Sequence, residues 1–263
     1  MESLETILYE KKDVVATITL NRPQALNSIN KRMNEELSWA FADVEKDNAV
    51  RALIITGTGK AFCTGADLGS VQREQTTLKA QLDFLRQGNE GVVERIENLN
   101  KPVIAAVNGF CVAGGMEILL TCDLAVAVDN AVIGDQHINV GAIGGAGGAY
   151  RLAVLIGLRR AKEIVLTGKK ISGKEAEQVG LVNRAVPAEE LMSTAWEIAL
   201  RLAEKSPTAM EVSKALMNRT IYIDSAARRE LIMLYTLYNS ASEDFQEGVK
   251  AFNEKRKPVF TGR

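Results

Sequence analysis

Residues 108–123, NGFCVAGGMEILLTCD, decide the fold and point to the chemistry. Five apolar residues, VIAAV at 103–107, lead into the stretch and read as a buried strand. Gly114-Gly115 opens a short helix running to about Cys122, and the chain returns as a strand over 123–128. A strand, a glycine turn, a helix and a second strand within some two dozen residues is the alternation of an α/β protein. The turn has chemical consequences. The first N–H groups of a helix lack intrahelical partners and lie at the positive end of its dipole. Glycine lets a ligand oxygen approach that backbone closely. Glu117 follows Gly114 by three residues, one helical turn on, so both can face one space. Two readings remain open at this point. The turn either stabilises an anion beside an acid/base carboxylate, or it is a tightly packed helix start whose Glu117 complements the dipole.

Downstream, residues 133–152 (IGDQHINVGAIGGAGGAYRL) carry His137, the only histidine in 263 residues. Asp135-Gln136-His137 is expected to be extended, which puts Asp135 on the face of His137 where it can orient the imidazole. A half-buried histidine with its hydrogen bonds satisfied is the alternative.

Upstream, residues 6–9 and 14–20 read as a hairpin around 11–13. Asn30 can cap a helix over 31–47, with Met33, Leu37, Ala40, Phe41 and Val44 on one face. Residues 51–56 form a buried strand, 60–70 a loop and 77–98 one long helix. Beyond the central stretch come short helices over 147–156 and 159–168. Ser172-Gly173-Lys174-Glu175 is a capping-box pattern. A short strand over 182–186 follows, and from residue 188 the chain is helical almost to 255. Strands and helices thus alternate to about residue 186, and the last quarter is helical. The organisation expected is an α/β core over 1–187 and a helical region over 188–263.

Composition narrows the function. Formal net charge is −1 with 25% charged residues, which excludes the concentrated basic face of a nucleic-acid binder. Three cysteines, Cys63, Cys111 and Cys122, have no metal-ligand spacing and suit small buried residues in a reducing compartment. No apolar run reaches the ~20 residues of a membrane helix, and the N-terminal MESLETILYEKKD has no apolar signal core. A cytoplasmic protein without a membrane partner is expected. The segment TGTGK at 56–60 lacks the later glycines of a dinucleotide or phosphate loop. No G-x-S-x-G elbow is present, and a single histidine excludes most histidine-based metal sites.

Ordered along the chain, several segments resemble the crotonase (enoyl-CoA hydratase/isomerase) superfamily: LNRP at 20–23 with ALN at 25–27, AFCTGADL at 61–68, KPVIAAVNG at 101–109, GGMEI at 114–118, GGAGG at 144–148 with RL at 151–152, and FNEKRKPVF at 252–260. The resemblance covers nearly the whole chain. It implies a spiral of ββα turns with a C-terminal helical trimerisation region, assembled as a homotrimer or a dimer of trimers. It also implies an acyl-CoA thioester substrate and no separate cofactor, coenzyme A being part of the substrate. By position in the motifs, the N–H groups of Ala66 and Gly114 form an oxyanion hole, and Glu117 matches the first of two catalytic glutamates. His137 stands where the second glutamate falls, and Gly144 where proline is frequent. Arg22, Lys255 and Lys257 are the expected cations for the CoA phosphates. The backbones at Ala25, Leu26, Cys63, Gly65, Asp67, Leu68 and Gly115 are the expected nucleotide and pantetheine contacts, and residues 72–85 are expected to shape the acyl pocket. The Glu117/His137 pair suits an enoyl-CoA hydratase or related lyase. A C–C hydrolase of β-keto acyl-CoA, an enoyl-CoA isomerase and a catalytically silent binding subunit are the alternatives.

Overall fold

The computed structural model describes residues 4–69, 77–221 and 223–263. The chain opens on an antiparallel hairpin of β1 (Ile7–Lys12) and β2 (Val15–Leu20). α1 (Lys31–Lys46) follows, and the Asn30 side chain accepts the Met33 N–H at 2.9 Å as its cap. Its stripe of Met33, Leu37, Ala40, Phe41 and Val44 is buried.

From β3 (Ala52–Gly57) the chain winds as a spiral. Each turn lays one strand in a six-stranded sheet and a three-residue strand in a second sheet. The larger sheet runs β1-β2-β3-β5-β7-β9, parallel throughout after the hairpin, with β5 at Val103–Val107, β7 at Leu124–Val128 and β9 at Arg184–Val186. Its central strands, ALIITG and VIAAV, are almost wholly buried, as parallel strands covered on both faces must be. The smaller sheet is parallel too: β4 (Ala61–Cys63), β6 (Phe110–Val112) and β8 (Val132–Gly134). These three strands fall where the sequence predicts loop or nothing at all. Three residues are too few for an alternation to register.

Register in the small sheet positions the site. Cys63 pairs with Cys111, Cys111 with Ile133, and Val112 with Gly134. The turns leaving β4, β6 and β8 therefore lie side by side. They carry Gly65-Ala66, Ala113-Gly114 and Asp135-His137.

The expected single helix over 77–98 is corrected. α2 (Leu78–Gly88) passes through a π-helical segment, Asn89–Val93, into α3 (Glu94–Asn98). The wide turn rotates the helical face, so Val92 and Val93 are buried while α2 buries nothing. π segments of this kind recur at functional sites. The remaining helices are α4 (Gly114–Thr121), α5 (Gly148–Ile156), α6 (Leu158–Thr167) and α7 (Gly173–Gln178). At α7 both halves of the Ser172/Glu175 capping box are made.

α8 (Leu191–Ala203), α9 (Pro207–Thr220), α10 (Ser225–Ser240) and α11 (Glu243–Glu254) complete the chain. Lys214 ties α9 to the sheet. Its ammonium donates to Asp123 at 2.7 Å and to the Ile96 carbonyl at 2.9 Å. α10 buries no residue, and Met233, Leu234 and Leu237 along it are exposed. Among the described residues no helix is long and apolar enough to cross a membrane.

Candidate active site

The turns after β4 and β6 touch along bare backbone. A Cβ on Gly65 would stand 2.9 Å from the Gly114 nitrogen, and one on Gly114 would stand 3.1 Å from the Gly65 Cα and 3.7 Å from the Ala66 nitrogen. Gly65 takes φ 90°, a conformation that glycine adopts without strain. Ala113 takes φ 50° and ψ −124°, sparsely populated for a residue with a side chain and the kind of local strain that collects at working sites. Among the described residues neither the Ala66 nor the Gly114 N–H has a hydrogen-bond acceptor. Both residues line one cavity of about 370 Å³. Two unpaired N–H donors from abutting turns, one at a helix start, form a site for an oxygen that gains negative charge.

Glu117 is buried on the same first turn of α4. Its Oε1 accepts the Ala146 N–H at 2.8 Å and the Gly148 N–H at 3.2 Å. Those contacts hold Oε1 and leave Oε2 as the carboxylate oxygen for chemistry. His137 lines the cavity as well. The expected extended segment is corrected here: Gln136 has φ −108° and ψ 4°, and His137 starts a 3-10 turn, His137–Val140. Asp135 still orients the ring, by a different route. Its Oδ1 accepts the His137 N–H at 3.0 Å and meets Nδ1 at 2.8 Å. One carboxylate oxygen thus fixes backbone and imidazole together, and Nε2 is the ring nitrogen left over. The hydrogen bond to Asp135 and the charges of Asp135 and Glu117 raise the histidine pKa above its ordinary value, against the opposing effect of burial. The Asp135 carboxyl is correspondingly held below the usual range: the imidazole beside it outweighs desolvation.

Gly144 lies close to both members of the pair. A Cβ there would stand 2.8 Å from Glu117 Oε1 and 3.4 Å from the His137 Cε1 and Nδ1 atoms. The bare Cα of Gly144 thus lies against both the carboxylate and the imidazole.

The other sequence-predicted residues fall around this centre. Leu68 lines the cavity and is exposed. Leu26 is exposed, its carbonyl accepting the Thr64 hydroxyl at 3.2 Å. The Arg22 guanidinium pairs with Asp67 at 2.9 Å and donates to the Ser28 carbonyl, so both side chains brace the 22–28 and 65–67 loops. Ala25 lies in a 3-10 turn of the same loop. Gly115 packs on β4, where a Cβ would stand 2.1 Å from the Cys63 carbonyl oxygen. Cys63 and Cys111 are buried. Burial pushes the Cys63 thiol up to about 12 and raises Cys111 too, so both are neutral packing groups and not nucleophiles. Lys255 and Lys257 are exposed at the end of α11, outside the cavity lining. Of the stretch 72–85, residues 72–76 lie outside the described residues, while Gln81, Phe84 and Leu85 line the cavity. Among the described residues no group of histidine, cysteine and carboxylate side chains could hold a metal.

Sequence reasoning missed three supports. The N–H groups of Ala146 and Gly148 sit in a glycine-rich run with no side chain to signal them. Arg151 holds that run by donating to the Ala146 carbonyl at 2.6 Å, braced in turn by Glu97 at 2.7 Å. Asn34, on the buried face of α1, also lines the cavity.

The chain is similar to known proteins over nearly its whole length. The family model described as enoyl-CoA hydratase/isomerase matches residues 10–263. A short-chain-enoyl-CoA hydratase of Clostridium acetobutylicum is 40% identical over 257 residues, 97% of each chain. A crotonyl-CoA hydratase of Syntrophomonas wolfei is 38% identical, covering 98% of this chain and 99% of that one. The crystal structure of an enoyl-CoA hydratase from Bacillus anthracis superposes with a TM-score of 0.92 at 34% identity, over 98% of this chain and all of that one. Full-length matches in sequence and in backbone, on a spiral that ends in an unpaired N–H pair beside a carboxylate, place the chain in one group: it belongs to the enoyl-CoA hydratase/isomerase family of crotonase-fold enzymes.

Proposed function

We propose that the chain hydrates α,β-unsaturated acyl-CoA thioesters in the cytoplasm, with Glu117 and His137 as its proton-transfer pair. The observation that carries the reading is that Glu117 and His137 line the same cavity as Ala66 and Gly114, whose N–H groups have no acceptor among the described residues. The thioester carbonyl oxygen accepts both N–H groups. Glu117 takes a proton from water as the water oxygen bonds to Cβ. The electron pair of the double bond moves onto the carbonyl oxygen as an enolate, which the two donors stabilise. The enolate collapses as imidazolium His137 gives a proton to Cα. The proton left on Glu117 then restores the imidazolium, so water has been added and nothing else consumed. No cofactor enters beyond the CoA of the substrate. The raised pKa of His137 suits it to the acid role near neutral pH.

The Asp135–His137 pair also favours a second reading, in which the imidazole directs water onto a β-keto carbon and a C–C bond breaks. Absorbance at the enoyl thioester band separates the two. Crotonyl-CoA loses that band on hydration and gives β-hydroxybutyryl-CoA. A C–C hydrolase leaves crotonyl-CoA untouched and cleaves a β-keto acyl-CoA, an isomerase moves the double bond without adding water, and a silent subunit does none of these. Persistence of the crotonyl-CoA band at high enzyme concentration would sink the hydratase reading.

The exposed apolar residues of α10, with Phe245, Val249 and Phe252 of α11, support assembly through the 188–263 region as a homotrimer or a dimer of trimers. Sedimentation at micromolar concentration should give three or six copies, and a monomer refutes it.

A further inference from the structure

Asn34 does not fit a purely apolar acyl pocket. It stands on α1 three residues before Leu37 and seven before Phe41, on the helix's buried stripe, where an apolar side chain would complete the wall. Instead Asn34 is one of the residues that line the cavity, with Ile29, Phe84, Val92, Val93 and Ile118. It is 1% exposed, and among the described residues neither its Oδ1 nor its Nδ2 has a hydrogen-bond partner. Buried side-chain amides are almost always paired. The neighbouring Asn89 shows the ordinary case, its amide donating to the Gly145 carbonyl at 3.1 Å.

We infer that Asn34 reads a polar group on the acyl tail, and that the preferred substrates are enoyl-CoA thioesters bearing a neutral group that both donates and accepts a hydrogen bond, a hydroxyl being the simplest. The amide offers two donors and one acceptor, and a hydroxyl complements both kinds at once. A tail carboxylate fits less well. Among the described lining residues the only charged or chargeable groups are Glu117 and His137, both engaged at the reacting end, and no lysine or arginine is there to pair with it. An alkyl tail would fill the cavity while leaving the amide desolvated and unpaired. Discrimination against it follows from that loss and not from size. Asn34 is therefore a specificity residue. The inference takes the acyl-CoA orientation from the proposed function but does not depend on hydration itself.

The test uses pairs of enoyl-CoA thioesters in which a terminal hydroxyl replaces a methyl of the same chain length, over a series of lengths. The unmutated enzyme should favour the hydroxyl member at one length by ~10-fold or more in kcat/KM, about the worth of one net hydrogen bond. Asn34→Leu should erase or invert that ratio. Asn34→Ala, which removes the amide without adding bulk, should erase it too and covers the case in which leucine does not pack. Calorimetric affinities for the saturated acyl-CoA pairs provide a readout free of chemistry. If no substrate is hydrated, the functional reading fails, while the affinity ratio still decides the role of Asn34. A ratio near one at every length, or a ratio that both variants retain, overturns the inference and leaves a bound water as the partner of the amide.

Discussion

Glu117→Gln should cut kcat for crotonyl-CoA hydration by ~10²–10⁴-fold with little change in KM, and His137→Ala by ~10²-fold or more, the range for a positioned general acid or base. The amide keeps the shape of Glu117, and its oxygen can still accept from Ala146 and Gly148, so the loss reports proton transfer and not collapse of the loop. The two residues line one cavity and are proposed to serve one addition, so the double variant should fall little below the worse single one: groups acting as a unit are not additive. The pH profile fixes the direction of transfer. An imidazolium acid is competent below its pKa, and that pKa is raised by Asp135. Activity should therefore decline as pH rises through a value above that of ordinary histidine. Asp135→Asn removes the main cause of the shift and should move the decline to lower pH. His137→Ala should abolish that limb altogether. His137→Glu restores a two-carboxylate pair and should keep crotonyl-CoA hydration well above the level of His137→Ala. Wild-type turnover in His137→Ala would make the histidine structural and reduce Asp135 to a turn-former.

How much of this was legible in the sequence depends on what carried each signal. The buried strands at 103–107 and 124–128 and the caps at Asn30 and Ser172 announced themselves through runs and side chains whose local physics decides the structure. Glu117 and His137 were visible as singular residues in glycine-rich surroundings. The small sheet was not, because its strands are three residues long and gain their stability from register with each other rather than from any pattern within themselves. The turn at His137 was missed for a related reason. A single carboxylate oxygen, bonding both the backbone and the ring two residues on, outcompetes the extended conformation, and sequence shows the partners but not the geometry. Arg22 has a partner that sequence does not announce: its guanidinium pairs with Asp67, forty-five positions away. The unpaired amide of Asn34 had no sequence signal beyond a polar residue on an apolar stripe, an observation that gains meaning only once a cavity stands beside it.

Gly115→Ala should damage stability and catalysis together, more than any other single methyl group added near the site. The new Cβ would stand 2.1 Å from the Cys63 carbonyl oxygen, 2.7 Å from its carbon and 2.8 Å from the Cys63 Cβ. Two of those three atoms belong to the backbone of β4, so no rotamer change relieves the contact, and α4 must back away from the small sheet. Overpacking of a well-filled core costs ~1–3 kcal/mol and more where backbone must shift. A loss of about 3 kcal/mol lowers Tm by roughly 10 °C in a chain of this size. The same displacement separates the Gly114 N–H from that of Ala66. Measured well below the new Tm, kcat should still fall by ~10²-fold or more, as when one oxyanion donor is lost. If Gly115→Ala instead melts and turns over like the unmutated enzyme, the close approach of α4 to β4 is not what sets the spacing of the two donors, and the anion site must be defined by Gly65 and the strained Ala113 turn alone.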